Sequence, residues 1–227
     1  EKFYDILYKF LIQDNVDAIE IRNVNGFLIN DNFKNCTNEE ELEFLSQIKE
    51  KYRNRENPLQ IVFIQTGVKQ PTTTDKDVRF FFEIYKKSLY DNKQSEKILS
   101  AFDMVCFEGN ISLMNISKVL IDLKEENPEV KYLFHAGEDH SKNLDNIVCS
   151  ILLGAKRIGH GVNLYKSNYL MKLIKEKDIC IEINPISNYL LKSHRDPFHH
   201  PLRSYINNGI KCTISSDDCL FWNCDPL

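Results

Sequence analysis

The sequence predicts a parallel α/β fold, a TIM-type (β/α)8 barrel one strand short, on three observations. Seven short segments are rich in Ile, Val, Phe or Leu without polar alternation, the pattern of strands buried on both faces of a parallel sheet. Helix-like stretches separate them, which implies successive βαβ units. Polar residues gather at the C-terminal ends of the strand segments, where such a barrel builds its site. A doubly wound open sheet also binds ligands there, but it carries a Gly-rich phosphate loop after its first strand. This chain has none.

The expected strands are 16–24, 59–66, 101–108, 131–138, 157–164, 179–184 and 211–217. The expected helices are 38–53, 77–89, 111–126, 144–153, 167–177 and 201–208. In the first of these, Leu42, Leu45 and Ile48 recur on one face. Asn38 is the expected N-cap, with Glu39, Glu40 and Glu41 in the first turn, where acids suit the helix dipole. Asn208-Gly209 is a helix stop. Residues 184–188 and Pro71-Thr-Thr-Thr read as loops, and no linker interrupts residues 1–227, so a single barrel domain is expected.

Composition narrows the class. The chain has 227 residues, 42% hydrophobic and 27% charged, which suits a globular domain with a sizeable core. A barrel of this type needs about 250 residues, so the chain is slightly short for one. A net charge of −4 argues against a general nucleic-acid binder. No apolar run approaches the roughly 20 residues of a membrane span. The chain begins at Glu1 without a visible signal peptide and is read as a mature or partial chain.

The seven cysteines form no CxxC pair. Cys106, Cys180 and Cys212 lie in apolar segments, as small core residues do. Cys219 and Cys224 stand close enough in sequence to pair or to remain thiols. Sequons at Asn35, Asn110 and Asn115 fit a secreted or lysosomal protein, with a cytoplasmic one as the alternative.

Three strand ends carry chemistry. Asp217-Asp218 closes an apolar run, and two adjacent carboxylates are costly there unless paired or bound to a cation. His135 and Glu138 close Tyr132-Leu-Phe-His-Ala-Gly-Glu: an imidazole ligand beside a proton-donating acid, or a strand-end His and a solvated Glu. His160, between Gly159 and Gly161, is an acid or base open to a substrate, or a turn histidine. His194, His199 and His200 lie in a polar segment without ligand-like spacing, which favours surface or structural roles. Histidines and acids gathered at strand ends are the material of a metal-assisted hydrolytic site.

In order, Phe134-His-Ala-Gly-Glu138, Gly154-Ala-Lys-Arg-Ile-Gly-His-Gly161, Ile181-Glu-Ile-Asn-Pro-Ile-Ser-Asn188, His200-Pro201 and Ile214-Ser-Ser-Asp-Asp218 resemble the adenosine deaminase superfamily. The Pro-Ile-Ser-Asn form and the Phe before His135 resemble its growth-factor-related branch, which includes the adenosine deaminase 2 type. Residues 15–22 and Phe102-Asp-Met-Val resemble the second and fourth barrel strands of that branch. The resemblance implies a zinc-dependent deaminase of adenosine and 2′-deoxyadenosine. His135 and Asp217 would be zinc ligands, with further His-x-His ligands expected upstream of Glu1. Glu138 would protonate the purine at N1. His160 would orient the attacking water and help deprotonate it, assisted by Asp217, and Asp218 would bind N7. Cys106 and Glu108 would line the substrate side. The expected partner is a small purine nucleoside, with a homodimer as the assembly.

The pattern departs from the family's at several positions. No His-x-His occurs, so the first strand would lie upstream, and no closing helix follows the last strand. Cys106 stands where the family has Gly, and Phe107, Glu108 and Gly109 differ around it. Asn184 replaces a Cys, and Cys219 a Pro. These departures motivate two alternatives: a catalytically impaired, growth-factor-like nucleoside binder, and a deaminase of a modified amino-purine nucleoside.

Overall fold

The computed structural model describes residues 2–29, 34–89, 97–106, 108, 111–139 and 143–222. Helix α1 (Lys2–Gln13) precedes β1 (Ala18–Asn23), α2 (Asn38–Arg53), β2 (Gln60–Val68), α3 (Asp75–Leu89) and β3 (Leu99–Val105). Then come α4 (Ser117–Glu126), β4 (Leu133–Ala136), α5 (Asp145–Leu152), β5 (Arg157–His160) and α6 (Asn168–Glu176). The chain continues through β6 (Cys180–Ile183), α7 (Pro185–Leu190), α8 (Leu202–Asn207), β7 (Cys212–Ile214) and α9 (Cys219–Trp222). All seven expected strands form, though most are shorter than their apolar runs. They build two sheets, β1-β2-β3 and β4-β5-β6-β7, and the pairs β1–β2, β4–β5, β5–β6 and β6–β7 are parallel.

The chain divides into two compact units. The first comprises Glu1–Gly67 and Lys76–Phe102. Its core includes Leu45, Ile48, Tyr52, Phe63, Phe82 and Phe102, all buried. Burial of side chains this large contributes roughly 1.5–3 kcal/mol each. The Phe82 and Phe102 rings meet edge to face at 5.3 Å.

The second unit comprises Val68–Asp75 and Asp103–Leu227. Ile158, Ile174, Ile181, Ile183 and Tyr205 centre its core. The strand β4 is buried throughout, whereas β7, at the sheet's edge, leaves Ile214 64% exposed. Burial on both faces was expected of every strand, and the edge strands β1 and β7 depart from it.

Local chemistry explains the other differences. The N-cap of α2 is Thr37, not Asn38: the Thr37 hydroxyl accepts the Glu40 N–H, and the Glu40 carboxylate accepts the Thr37 N–H. Residues 185–190 form helix α7 rather than a loop, with Pro185 at the first helical position, where its missing N–H costs nothing. The expected helix 111–126 is a 3-10 turn, Leu113–Ile116, followed by α4. The expected strand 157–164 stops at His160, and Val162–Lys166 is a 3-10 turn. Gly209, at φ +71°, ends α8 as expected. Phe107, Gly109, Asn110 and Cys224 lie outside the described residues.

Candidate active site

The site lies in the second unit, at the C-terminal ends of its strands. There the backbone turns left-handed: Cys106 follows β3 at φ +85°, Gly137 follows β4 at φ +79°, His160 ends β5 at φ +64°, and Asp217 follows β7 at φ +64°. Three of these four are not glycine. Non-glycine residues in this region cost free energy and cluster where side chains must be aimed. Gly161 continues the turn at φ +56°, and a Cβ there would stand 2.8 Å from Ile181 Cγ2. Tyr205, fully buried, secures the turn by donating its hydroxyl to the Gly161 carbonyl at 2.7 Å.

His135 sits on β4 opposite Gly159 of β5. A Cβ at Gly159 would stand 3.2 Å from His135 Nδ1, so the glycine leaves the ring its place. Asp103, on β3 and fully buried, takes both nitrogens on the inner side of His135. Its Oδ1 accepts the backbone N–H at 3.1 Å, and its Oδ2 lies 2.7 Å from Nδ1. A carboxylate accepts, so Nδ1 carries the proton and Nε2 keeps its lone pair for a ligand. Buried Lys69 donates Nζ to the His135 carbonyl at 2.9 Å.

His160 is buried, its ring centroid 5.0 Å from that of His135. Its Nε2 lies 3.2 Å from Glu138 Oε2 and 3.9 Å from Asp217 Oδ2. Its Nδ1 meets the amide nitrogens of Asn188 at 3.0 Å and Asn184 at 3.3 Å. The ligand atoms of His135, His160 and Asp217 all lie within 4.8 Å of one another. The His135 imidazole, held through the Asp103 carboxylate, and the Asp217 carboxylate fit a divalent cation, with the His160 ring beside them.

Glu138 is held by its backbone. Glu108 Oε2 accepts the N–H groups of Gly137 at 2.7 Å and Glu138 at 3.0 Å. Glu108 Oε1 accepts from Asn146 Nδ2 at 3.0 Å, and Asn146 Oδ1 accepts the Leu113 N–H at 2.7 Å. Glu108, expected on the substrate side, thus bonds to the protein with both oxygens. Cys106 is exposed at the end of β3. Desolvation first, then the neighbouring Asp217, pushes the Asp218 carboxyl above the usual carboxylate range, although the residue as a whole is exposed.

The structure therefore brings His135, Glu138, His160 and Asp217 together, with Asp218 next in the chain. It adds residues the sequence reading passed over. Asp103 had a signal, a carboxylate inside the apolar run Ala101–Val105; Lys69 had none. His199 is exposed and paired with Asp196. His200 is buried instead, with Nε2 3.1 Å from Asn188 Oδ1. Burial, then His194 and His160, lowers its pKa to about 4.

Comparison with known proteins fits this geometry. A solved zinc-containing amidohydrolase from Burkholderia ambifaria superposes over 99% of this chain and 59% of its own, with a TM-score of 0.78 at 15% identity. The fold is thus the parallel α/β class of the amidohydrolase barrels. The adenosine deaminase family model matches residues 90–225, and the chain belongs to that family. Adenosine deaminase of Phlebotomus duboscqi is 29% identical over 239 residues, covering 99% of this chain and 43% of that protein. Adenosine deaminase 2 of Dictyostelium discoideum is 47% identical over 92 residues, covering 40% of this chain and 17% of that protein. The chain spans less than half the length of these curated relatives. Among the described residues, no helix is long and apolar enough to cross a membrane.

Proposed function

We propose that this chain carries the catalytic centre of a zinc-dependent hydrolase that deaminates adenosine and 2′-deoxyadenosine. The observation that carries the reading is the meeting of His135, His160 and Asp217 within 4.8 Å, with Glu138 at 3.2 Å from His160. His135, through Nε2, and Asp217 would hold the zinc. Zinc so bound supplies Lewis-acid activation that brings the pKa of water toward neutrality.

The chain's own residues do the rest. His160 orients the attacking water from Nε2. Asp217 takes one proton of that water as the oxygen bonds to C6. Glu138 gives its proton to N1, which accommodates the electron pair displaced into the ring. Asp218 bonds to N7, a lone-pair acceptor, so its carboxyl must hold a proton; desolvation and Asp217 both favour that form. As the C6–N bond breaks, Asp217 returns its proton to the leaving amine, and the C6 hydroxyl restores the proton of Glu138. The products are inosine, or its 2′-deoxy form, and ammonia. The sequon residues Asn35 and Asn115 are exposed, which supports a secreted or lysosomal setting.

The test is ammonia release from adenosine by the full chain supplied with zinc, with Glu138→Gln beside it. Turnover is expected, falling about 10²–10⁴-fold in the variant at unchanged zinc content. No release by the wild type overturns the reading, and near-normal turnover by the variant overturns the role of Glu138.

A further inference from the structure

One backbone N–H sets the polarity of a buried hydrogen-bond chain that ends at His160. A backbone N–H can only donate. That of Leu202, the first residue of α8, points at His200 Nδ1 at 3.2 Å. Nδ1 of His200 therefore carries the lone pair, and the proton of the neutral ring sits on Nε2. A doubly protonated His200 would set two donors against each other at Nδ1. The low pKa of the buried ring, about 4, agrees with a single proton near neutral pH.

His200 Nε2 faces Asn188 Oδ1 at 3.1 Å, so the Asn188 oxygen accepts and its NH2 group points the other way. That NH2 group stands 3.0 Å from His160 Nδ1. Two donors cannot bond to each other, so His160 Nδ1 is the acceptor and the His160 proton is on Nε2. A second amide acts in the same sense: Asn184 Nδ2 stands 3.3 Å from the same atom, and Asn184 Oδ1 lies 2.7 Å from the Ser215 hydroxyl. Asn188 and Asn184 are 0% and 5% exposed, so these bonds are shielded from bulk solvent.

We propose that His200 is a positioning residue of the centre: acting through Asn188, it fixes His160 in the tautomer whose proton lies on Nε2 and faces the attacking oxygen. His160 is then a hydrogen-bond donor to that oxygen. It is not a metal ligand, since Nε2 has no free lone pair, and it is not the base. The side-chain oxygens within reach of Nε2 belong to the Glu138 carboxyl, at 3.2 Å, and the Asp217 carboxylate, at 3.9 Å, and each has a lone pair to accept from it. The tautomer follows from the hydrogen bonds alone; only its use in catalysis rests on the deaminase reading.

The test reads the proton's position directly. Imidazole 15N shifts of the 15N-histidine-labelled full chain, recorded with and without added zinc at neutral pH, distinguish a protonated Nε2 from a protonated Nδ1. The wild type should show His160 protonated on Nε2 in both samples. Asn188→Asp substitutes a group of the same shape that only accepts, and should move the proton to Nδ1. His200→Phe removes the donor that orients the amide, and should give mixed tautomers. His200→Gln, which can donate to Asn188 from its own amide, should restore the wild-type pattern. If adenosine is turned over, kcat should fall about 100-fold in Asn188→Asp with KM little changed, the cost of losing one donor to a developing charge. A wild-type His160 protonated on Nδ1, or a tautomer unmoved by both Asn188→Asp and His200→Phe, overturns the proposal. Absence of turnover with an Nε2-protonated His160 overturns the deaminase reading and leaves the tautomer assignment standing.

Discussion

Asp103 grips His135 twice, its Oδ1 accepting the backbone N–H at 3.1 Å and its Oδ2 the ring Nδ1–H at 2.7 Å. The double contact fixes both the strand position and the ring orientation of the proposed ligand. It also raises the basicity of Nε2, since the carboxylate supports the positive charge that ligation places on the ring. Asp103→Asn keeps the shape but loses the charge and one acceptor. Its zinc affinity, measured by competition with a chelating dye, should fall about 10–100-fold. An unchanged affinity would remove His135 from the ligand set.

Glu108 performs the same service for Glu138 through the backbone. Its carboxylate accepts the N–H groups of Gly137 and Glu138, and a third bond from Asn146 fixes it in place. Glu108→Ala leaves these buried donors without their acceptor. At about 1–3 kcal/mol for each unsatisfied group, a loss of roughly 3 kcal/mol is expected in urea denaturation. Glu108→Gln keeps an acceptor oxygen and should lose about half as much. Equal stability for Glu108→Ala and the wild type would show that the turn does not depend on this carboxylate.

Seven strands were legible in the sequence as apolar-rich runs, the pattern that burial in a parallel sheet demands of the inner strands, although the edge strands β1 and β7 are less buried than that pattern implies. Their ends were less legible. The runs 131–138 and 157–164 continue past the last ladder hydrogen bond, and the break at His160 comes from a left-handed turn that only Gly161 announces. The residues facing the site, His135, Glu138, His160 and Asp217, showed themselves as charged or titratable groups at strand tips. The residues that hold them did not. Lys69 reads as a surface lysine, and Glu108 reads as a substrate-side residue at a strand tip, whereas its carboxylate holds the backbone of Gly137 and Glu138. The link from His200 through Asn188 joins two segments twelve residues apart across a helix and a 3-10 turn, and no local pattern encodes that contact.

Cys106 stands where the resembled family has Gly, and its φ of +85° gives that position a physical meaning. A left-handed conformation costs an L-residue roughly 1–2 kcal/mol, while glycine costs about 0.5–1 kcal/mol of extra unfolded-state entropy. The difference favours glycine, so Cys106→Gly should stabilise the chain by about 0.5–1 kcal/mol, read as a higher denaturation midpoint at unchanged slope. A lower midpoint would mean that contacts of the thiol outweigh the strain. The same variant, assayed with adenosine, shows whether the side chain narrows the pocket: faster turnover indicates crowding, and slower turnover a pocket adapted to cysteine.

His200 makes stability depend on pH in a direction fixed by its burial. In the folded chain its pKa is about 4, while an exposed histidine titrates near 6.5. Between these values the unfolded chain binds a proton at this residue that the folded chain does not. Stability contributed by His200 is therefore fully present above about pH 6.5, falls as the pH drops toward 4, and changes no further below that. The group that loses most from protonation is the Leu202 N–H, which would then face a second donor at Nδ1. Urea midpoints at pH 7.5, 6 and 5 should fall in that order for the wild type. The same series in His200→Gln, which keeps a donor to Asn188 but cannot titrate, should fall less. Equal slopes for the two chains would mean that His200 takes up its proton without opposing the fold, and that the chain from Leu202 to His160 tolerates a reversed donor.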